Sequence, residues 1–432
     1  MNRRRTLITI GALGVVGAIA AACFFFWPAS IEAVQATDAQ PIGSALVAKG
    51  EYLTKAADCA ACHTAPGGKP FAGGRAFKLP FGTIYSTNIT PDQETGIGRW
   101  SDAEFVRALH RGIGRNGEDL YPAFPYTAYA LLSTDDVLAI RAYLSTVRPV
   151  SLRNSDNTLA FPFNQRYVLR AWKLLFMPLG RWTPSSTHDA AWNRGSYLAE
   201  ALAHCGDCHT PRNLLFATKS DRKYAGAVVD GWKAYNITSD IETGIGAWSD
   251  EEVERYLSTG HAKVRGSAGG GMAEAIGFSL RHLFPEDIAA LTLYLRTIPP
   301  QRSELADRVH HHPAPLNGAT AWSPGADRDE SIGFQVFASA CASCHGWDGN
   351  GQQTDNAGLR GSRSVNDPAG TNVVRAVLEG IKIGSPGGNN TMPPFADAYS
   401  DEEIAAVTNY VIEHFGGKRG RVTAAEVRGA RD

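Results

Sequence analysis

Hydrophobic positions along the 432-residue chain follow two patterns. From Leu7 to Trp27 they run unbroken except for Thr9, directly behind Arg3, Arg4 and Arg5. Elsewhere they recur at helical spacing in short stretches separated by glycine and proline. Three amphipathic stretches stand out: Ser133–Thr146, Pro285–Thr297 and Ser400–Phe415. Each opens with acidic residues that favour the positive end of a helix: Asp135 and Asp136, Glu286 and Asp287, and the run Asp401 to Glu403. Upstream of each lies a shorter helical stretch holding a glycine and aromatics, at Gly50–Ala57, Gly195–Leu202 and Gly333–Ala340. Tyr143, Tyr294 and Tyr410 recur on the closing helices. The pattern predicts small all-α units, each closed by an amphipathic helix.

The first two units are copies. From Glu94 and Glu242 onward, Glu-Thr-Gly-Ile-Gly, Trp, Ser and Asp repeat at a constant offset of 148, with Ser101 and Ser249 placed as N-caps. The N-terminal run is an export signal, a basic start followed by an apolar segment long enough to span a bilayer. Three fates compete: cleavage near Val34-Gln35-Ala36, retention as an anchor with the arginines cytoplasmic, and lipidation at Cys23. All three place the rest of the chain beyond the cytoplasmic membrane, on its periplasmic side. A buried core helix is the bland reading of the same run.

Lys+Arg 42 against Asp+Glu 43 leaves a net charge of −1, which excludes a general nucleic-acid binder. Seven cysteines are too few for a disulfide scaffold of this length. Six of them form one pattern used three times: Cys59-Ala60-Ala61-Cys62-His63, Cys205-Gly206-Asp207-Cys208-His209 and Cys341-Ala342-Ser343-Cys344-His345. This is the c-type haem attachment motif, two thiols for thioether bonds to the haem vinyl groups and a histidine for the iron; chance would supply about 0.003 matches. Thioredoxin-like and zinc readings do not require histidine after every second cysteine. The motifs therefore predict three covalently bound haem c groups, with His63, His209 and His345 as axial ligands.

A haem with histidine on one face commonly takes methionine on the other. Met272, in a glycine loop, and Met392, in Asn390-Thr391-Met392-Pro393-Pro394, fit that role; a surface or core methionine is the alternative. Subtracting the repeat offset from 272 leads to Phe124, so the first unit has phenylalanine in place of methionine. His110, at the end of the preceding helix, is a conceivable substitute, though a solvated helix-end histidine is the favoured reading. Met177 is a poorer one. Gly112-Ile113-Gly114-Arg115-Asn116-Gly117 matches GxGxxG but follows a helix, so dinucleotide binding is rejected. The run His310-His311-His312 reads as linker. The first linker is apolar, from Leu159 to Phe163 and Trp172 to Leu179. It suits packing between units, or contact with a partner, quinone or membrane.

With these marks the chain resembles the triheme cytochrome c subunits of bacterial membrane-bound dehydrogenases, which serve alcohol, gluconate, sorbitol and aldehyde dehydrogenases. The resemblance rests on Asn88-Ile89-Thr90 and Asn236-Ile237-Thr238, the doubled Glu-Thr-Gly-Ile-Gly, Cys208-His209-Thr210-Pro211-Arg212-Asn213, the Leu120–Tyr126 loop and Met392-Pro393. It implies three tandem class I cytochrome c-like domains, each wrapping one covalent haem c. It also implies an electron-transfer subunit without substrate chemistry of its own, taking electrons from a catalytic dehydrogenase subunit of PQQ, flavin or molybdenum type. Ubiquinone or a terminal oxidase would receive them at the membrane. By motif, the three histidines carry over as proximal ligands, and Met272 and Met392 as distal ones. Phe124 departs from the family pattern. A haem enzyme of peroxidase type, using an open iron face on the first haem, is the alternative. The expected organisation is a signal or anchor (1–40), a first domain (41–150), an apolar linker (151–185), a second domain (186–300), a linker (301–325), a third domain (326–417) and a polar tail (418–432).

Overall fold

Helix starts are set by local chemistry. Ser101 accepts a hydrogen bond from the Glu104 amide while the Glu104 carboxylate accepts one from the Ser101 amide. The same capping box recurs at Ser249 with Glu252 and at Ser400 with Glu403. Gly112 and Gly260 close the helices begun by the first two boxes, both left-handed at φ 57° and 81°. In the computed structural model, residues 3–26, 43–303, 305, 331–385 and 388–431 are described. The expected cleavage site at 34–36, most of the second linker and the run 310–312 lie outside the described residues.

In chain order the helices are α1 (Arg3–Phe26), α2 (Ser44–Ala56), α3 (Cys59–His63), α4 (Asp102–Arg111), α5 (Tyr126–Tyr129), α6 (Thr134–Leu144) and α7 (Leu169–Phe176). They continue as α8 (Ala190–Tyr197), α9 (Gly206–His209), α10 (Asp250–Thr259), α11 (Gly270–Phe278), α12 (Pro285–Thr297), α13 (Ile332–Val336), α14 (Ala342–His345), α15 (Thr371–Glu379), α16 (Asp401–Gly416) and α17 (Ala424–Arg431). The all-helical expectation needs one amendment. Among the described residues, four antiparallel hairpins interrupt the helices: β1 (Ala76–Leu79) with β2 (Gly82–Tyr85), β3 (Ala227–Val229) with β4 (Trp232–Ala234), β5 (His261–Ala262) with β6 (Gly266–Ser267), and β7 (Ile381–Ser385) with β8 (Gly388–Met392). Each is too short to build a sheet core.

The chain folds as two compact units, Met1–Thr54 with Cys62–Thr183, and Lys55–Ala61 with Pro184–Asp432. One packing device appears in both. A Cβ added to Gly50 on α2 would lie 1.9 Å from the Ala139 carbonyl oxygen on α6 and 2.9 Å from the Tyr143 Cβ. A Cβ at Gly195 on α8 would lie 1.9 Å from the Ala290 oxygen and 3.0 Å from the Tyr294 Cβ on α12; one at Gly333 on α13 would lie 2.5 Å from the Ala406 oxygen and 2.8 Å from the Tyr410 Cβ on α16. Only glycine permits these helix backbones to touch. The recurrent glycine and tyrosine of the sequence are thus the two sides of one helix crossing.

In the first unit, α1 is a continuous 24-residue helix whose Ile10, Leu13, Val15, Val16 and Ile19 are exposed. Several other α1 side chains are outside the described set, and among the described residues no helix is long and apolar enough to cross a membrane. The apolar linker does not simply bridge units: α7 clamps onto the Gly112–Tyr126 loop of its own unit. Lys173 donates to the Gly112 carbonyl and pairs with Asp119 at 2.8 Å, and Arg170 pairs with Asp119 at 3.1 Å. Trp172 stands edge-on to Tyr126, ring centroids 6.1 Å apart.

In the second unit, Phe337, Val407, Val411 and Phe415 share one core cluster, and Val374, Leu378, Ile404, Val422 and Val427 another. The last two come from the segment expected as a polar tail. Its residues Ala424–Arg431 instead form α17, which buries Val427 completely and pairs Arg428 and Arg431 with Asp401 on α16 at 3.1 and 2.7 Å. Val422, Val427 and Ala430 supply the apolar contacts that dock a segment otherwise rich in charge.

Candidate functional site

Each motif histidine sits at the C-terminal end of a one-turn helix and is held twice. The Nδ1 of His63 hydrogen-bonds the Thr87 carbonyl, that of His209 the Tyr235 carbonyl and that of His345 the Ala357 carbonyl, each at 2.6 Å. The backbone carbonyl of each in turn accepts from a glycine amide: Gly73 at 2.8 Å, Gly226 at 2.8 Å and Gly351 at 2.9 Å. Burial lowers the pKa of all three imidazoles, so each is neutral with its proton on Nδ1. The lone pair is then on Nε2, the nitrogen left for a metal, in the tautomer that a backbone carbonyl imposes on a ligating histidine.

The carbonyls have their own supports. Thr87 and Tyr235 immediately precede Asn88 and Asn236, the first residues of the Asn-Ile-Thr repeats. Asn88 accepts from the Thr90 amide at 2.9 Å and donates to the Val150 carbonyl at 2.7 Å and to Thr95 Oγ1 at 3.1 Å. Asn236 does the same with Thr238, the Gln301 carbonyl and Thr243, at 2.8, 2.6 and 3.0 Å. Both asparagines are buried and tie the chain leaving the last helix of each copy to the loop that orients the histidine. Repeat residues that carry no metal chemistry therefore position residues that do. In the third motif the carbonyl belongs to Ala357, on a single 3-10 turn capped by Thr354.

The six motif cysteines form no disulfides. Burial pushes Cys205 up to about 12 and Cys341 up to about 11, values that disfavour thiolate. Residues just before the first cysteine of two motifs, Asp58 and His204, take left-handed φ of 53° and 37°. Neither the histidine-orienting carbonyls nor these turns can be read from residue type, since any residue supplies a carbonyl. The Asn-Ile-Thr repeat is the signal that points nearest to them.

The distal candidates differ in setting from the expected loops. Met272 is half-buried in the first turn of α11, and Met392 is half-buried at the end of β8 opposite Ile381. The glycines before Met272 are not slack: a Cβ at Gly269 or Gly270 would come within 2.7 or 2.6 Å of the Trp232 ring. The indole packs on bare backbone and seats the helix. The repeat register holds structurally as far as 120 and 268, because Leu120 bonds Gly112 as Ala268 bonds Gly260, and Ile113 pairs with Asp119 as His261 pairs with Ser267. Beyond that point the copies diverge. Phe124 lies in a turn before α5, half-buried, its ring 5.5 Å from that of Tyr129 and 6.3 Å from that of Tyr126. His110 is not a solvated helix-end residue. It is 3% exposed, hydrogen-bonded to the Leu132 backbone, and lowered to about 4 by burial and by Arg181; its Nε2 has no partner. Met177 is half-buried and caps α7.

A helix crossing over a paired-cysteine turn, with a neutral histidine presenting Nε2, defines a c-type cytochrome. The donor set fits covalent haem: two thiols for thioethers and one pre-oriented imidazole for iron. The Cytochrome c family matches residues 47–148 and 331–414. The chain is 37% identical to the fructose dehydrogenase cytochrome subunit of Gluconobacter japonicus, over 89% of this chain and 82% of that protein. It is 36% identical to the gluconate 2-dehydrogenase cytochrome c subunit of Pantoea cypripedii, over 90% of each. Against a nicotinate dehydrogenase component of Pseudomonas putida identity is 38% over 91% of this chain, which spans 32% of that longer protein. The chain belongs to the family of cytochrome c subunits of bacterial dehydrogenases. It is an electron-transfer subunit, not a catalytic one.

Proposed function

We propose that the chain carries three covalent haems c and relays electrons from a separate dehydrogenase subunit to membrane quinone. The observation that carries this reading is the threefold recurrence of one histidine setting: Nδ1 on a backbone carbonyl at 2.6 Å, and the histidine carbonyl on a glycine amide. In this reading Cys59 and Cys62, Cys205 and Cys208, and Cys341 and Cys344 form the thioethers. His63, His209 and His345 hold the irons, with Met272 and Met392 as distal ligands of the second and third. Bound haem supplies reversible one-electron chemistry. The protein contributes fixed ligand geometry and burial, which set the potentials. Three modules, 41–150, 186–300 and 326–417, would each enclose one haem, supported by the three glycine–tyrosine crossings. Three centres on one chain suit a relay because tunnelling decays steeply with distance.

The relatives named above belong to fructose, gluconate and nicotinate dehydrogenases, which supports a catalytic partner subunit without naming its substrate. Protein matured in a host competent for cytochrome c assembly should show three haem additions by mass spectrometry. On its own it should oxidise no sugar, alcohol or aldehyde, yet become reduced as its partner turns over. Two or fewer haems, with an unmodified thiol pair, would sink the triheme reading, and substrate oxidation by the isolated chain would sink the relay.

The chain would act on the periplasmic side of the membrane, held there by α1. Support comes from the exposed apolar side chains Ile10, Leu13, Val15, Val16 and Ile19 on α1. Leu174, Leu175 and Leu179 lie 74, 66 and 106% exposed on and just after α7. Tyr167, just before α7, is in edge contact with Phe25 of α1 at 6.2 Å. Full-length protein should sediment with membranes after a high-salt wash, and a version lacking residues 1–40 should not. Equal release of both at high salt would refute anchoring by α1.

A further inference from the structure

We infer that Arg363, from the segment that follows the third motif, sets the potential of the haem held by His209, which belongs to the second. The inference rests on the haem assignment proposed above. Arg363 stands on the loop between the 3-10 turn Asp355–Ala357 and α15. Its guanidinium reaches into the loop of the second copy, donating to the carbonyls of Thr243 and Gly244. These carbonyls belong to the repeated Glu-Thr-Gly-Ile-Gly; in the first copy the Thr95 carbonyl accepts instead from the neutral Asn154 side chain at 3.4 Å. The guanidinium carbon also lies 4.6 Å from the centroid of the Tyr235 ring, a cation–π contact. Tyr235 is the residue whose carbonyl holds His209 Nδ1.

A cation in that place stands over the residue whose backbone carbonyl holds the imidazole. Two carboxylates, Asp367 and Asp240, share the seam with the guanidinium. Lys233 pairs with Asp367 at 2.7 Å, and Tyr235 donates to the same carboxylate at 3.3 Å. Asp240 is engaged by the Thr243 amide and hydroxyl at 2.6 and 2.7 Å. Asn372 fixes the β4 backbone from the other side, accepting from the Lys233 amide at 2.8 Å and donating to its carbonyl at 3.0 Å. The result is a hydrogen-bonded, half-buried seam in which a guanidinium faces a ligand loop. Ferric haem carries one more positive charge than ferrous, so a fixed cation nearby favours the reduced state and raises the potential. Arg363 is a positioning residue, holding both a charge and the loop that bears the Tyr235 carbonyl.

The test uses the full mature chain and spectroelectrochemical titration of its haems. Arg363→Gln should lower one wave, shifting its oxidised-to-reduced ratio on the order of tenfold at fixed potential, about 59 mV for one electron. The other waves should stay in place. Arg363→Lys, which keeps the charge, should recover most of the shift. Asp367→Asn leaves Lys233 uncompensated and should move the same wave upward. Opposite signs from the two charge changes distinguish electrostatics from loosening, which would move the wave the same way in both. Unchanged waves in an Arg363→Gln protein of normal fold and haem content would overturn the inference; should that variant fail to fold, an unmoved or lowered wave in Asp367→Asn does so. Failure of the haem assignment itself reads out separately, as a full haem count in Cys205→Ala/Cys208→Ala protein.

Discussion

Electron paramagnetic resonance of the oxidised protein is expected to show one high-spin haem and two low-spin haems with His/Met ligation. The high-spin signal belongs to the haem at Cys59, Cys62 and His63. Four residues beyond the last matched pair, 120 and 268, the second copy reaches Met272 and the first reaches Phe124, whose ring has no lone pair for iron. Phe124 packs among Tyr126 and Tyr129, and α7 covers the same loop through Lys173, Arg170 and Trp172. On this assignment the distal side would be closed by aromatic and ion-paired packing rather than by a ligand. Carbon monoxide should bind this haem, slowly. Phe124→Met should convert the signal to low spin and raise the potential. His110 is engaged with the Leu132 backbone and lies beside Arg181, which disfavours further positive charge there, so His110→Ala should leave the spin state unchanged. Three His/Met signals in the wild type would refute this assignment and direct attention to Met177. A bis-histidine signal that disappears in His110→Ala would assign the sixth position to that imidazole instead.

Gly195→Val should cost at least about 3 kcal/mol, the upper end of ordinary overpacking, because the added Cβ meets backbone that cannot rotate away. The Ala290 carbonyl oxygen lies 1.9 Å from that position and its carbon 2.5 Å. For a unit of this size the melting temperature should fall by roughly 6–12 °C. The second haem, whose first cysteine follows α8 by a single π-helical turn and a short bend, should be attached less completely. Gly277→Ala is the control. It lies inside α11 with open space at its Cβ and should stabilise by about 0.5–1 kcal/mol. Equal melting temperatures for Gly195→Val and wild type would show that α8 and α12 can separate without loss.

Much of this protein is readable from order along the chain. The three cysteine–histidine motifs, the serine caps with their glutamates three residues on, and the 148-residue repeat are all local or periodic features. The left-handed glycines at 112 and 260 close the helices where the repeat places them. The aromatic residues of the closing helices are harder to interpret. As sequence, Tyr143, Tyr294 and Tyr410 read as ordinary packing residues, and only the crossings show that each flanks a glycine on a helix far away along the chain. The glycines before Met272 read as a loose loop, but Trp232 turns them into a packing surface.

By itself, the sequence determined which atoms can bond covalently to haem, where helices begin and end, and that one unit was copied, because these depend on residues within a few positions of each other or on exact repetition. Tertiary structure alone decided how each histidine is oriented. His209 takes its carbonyl from Tyr235, 26 residues on, and Arg363 reaches Thr243 across 120 residues. A backbone carbonyl leaves no trace in residue type, and a buried cation is identified as a neighbour only when folding brings its loop to the ligand. The potential of each haem is settled at that level, by the packing that fixes which charges and dipoles face the iron.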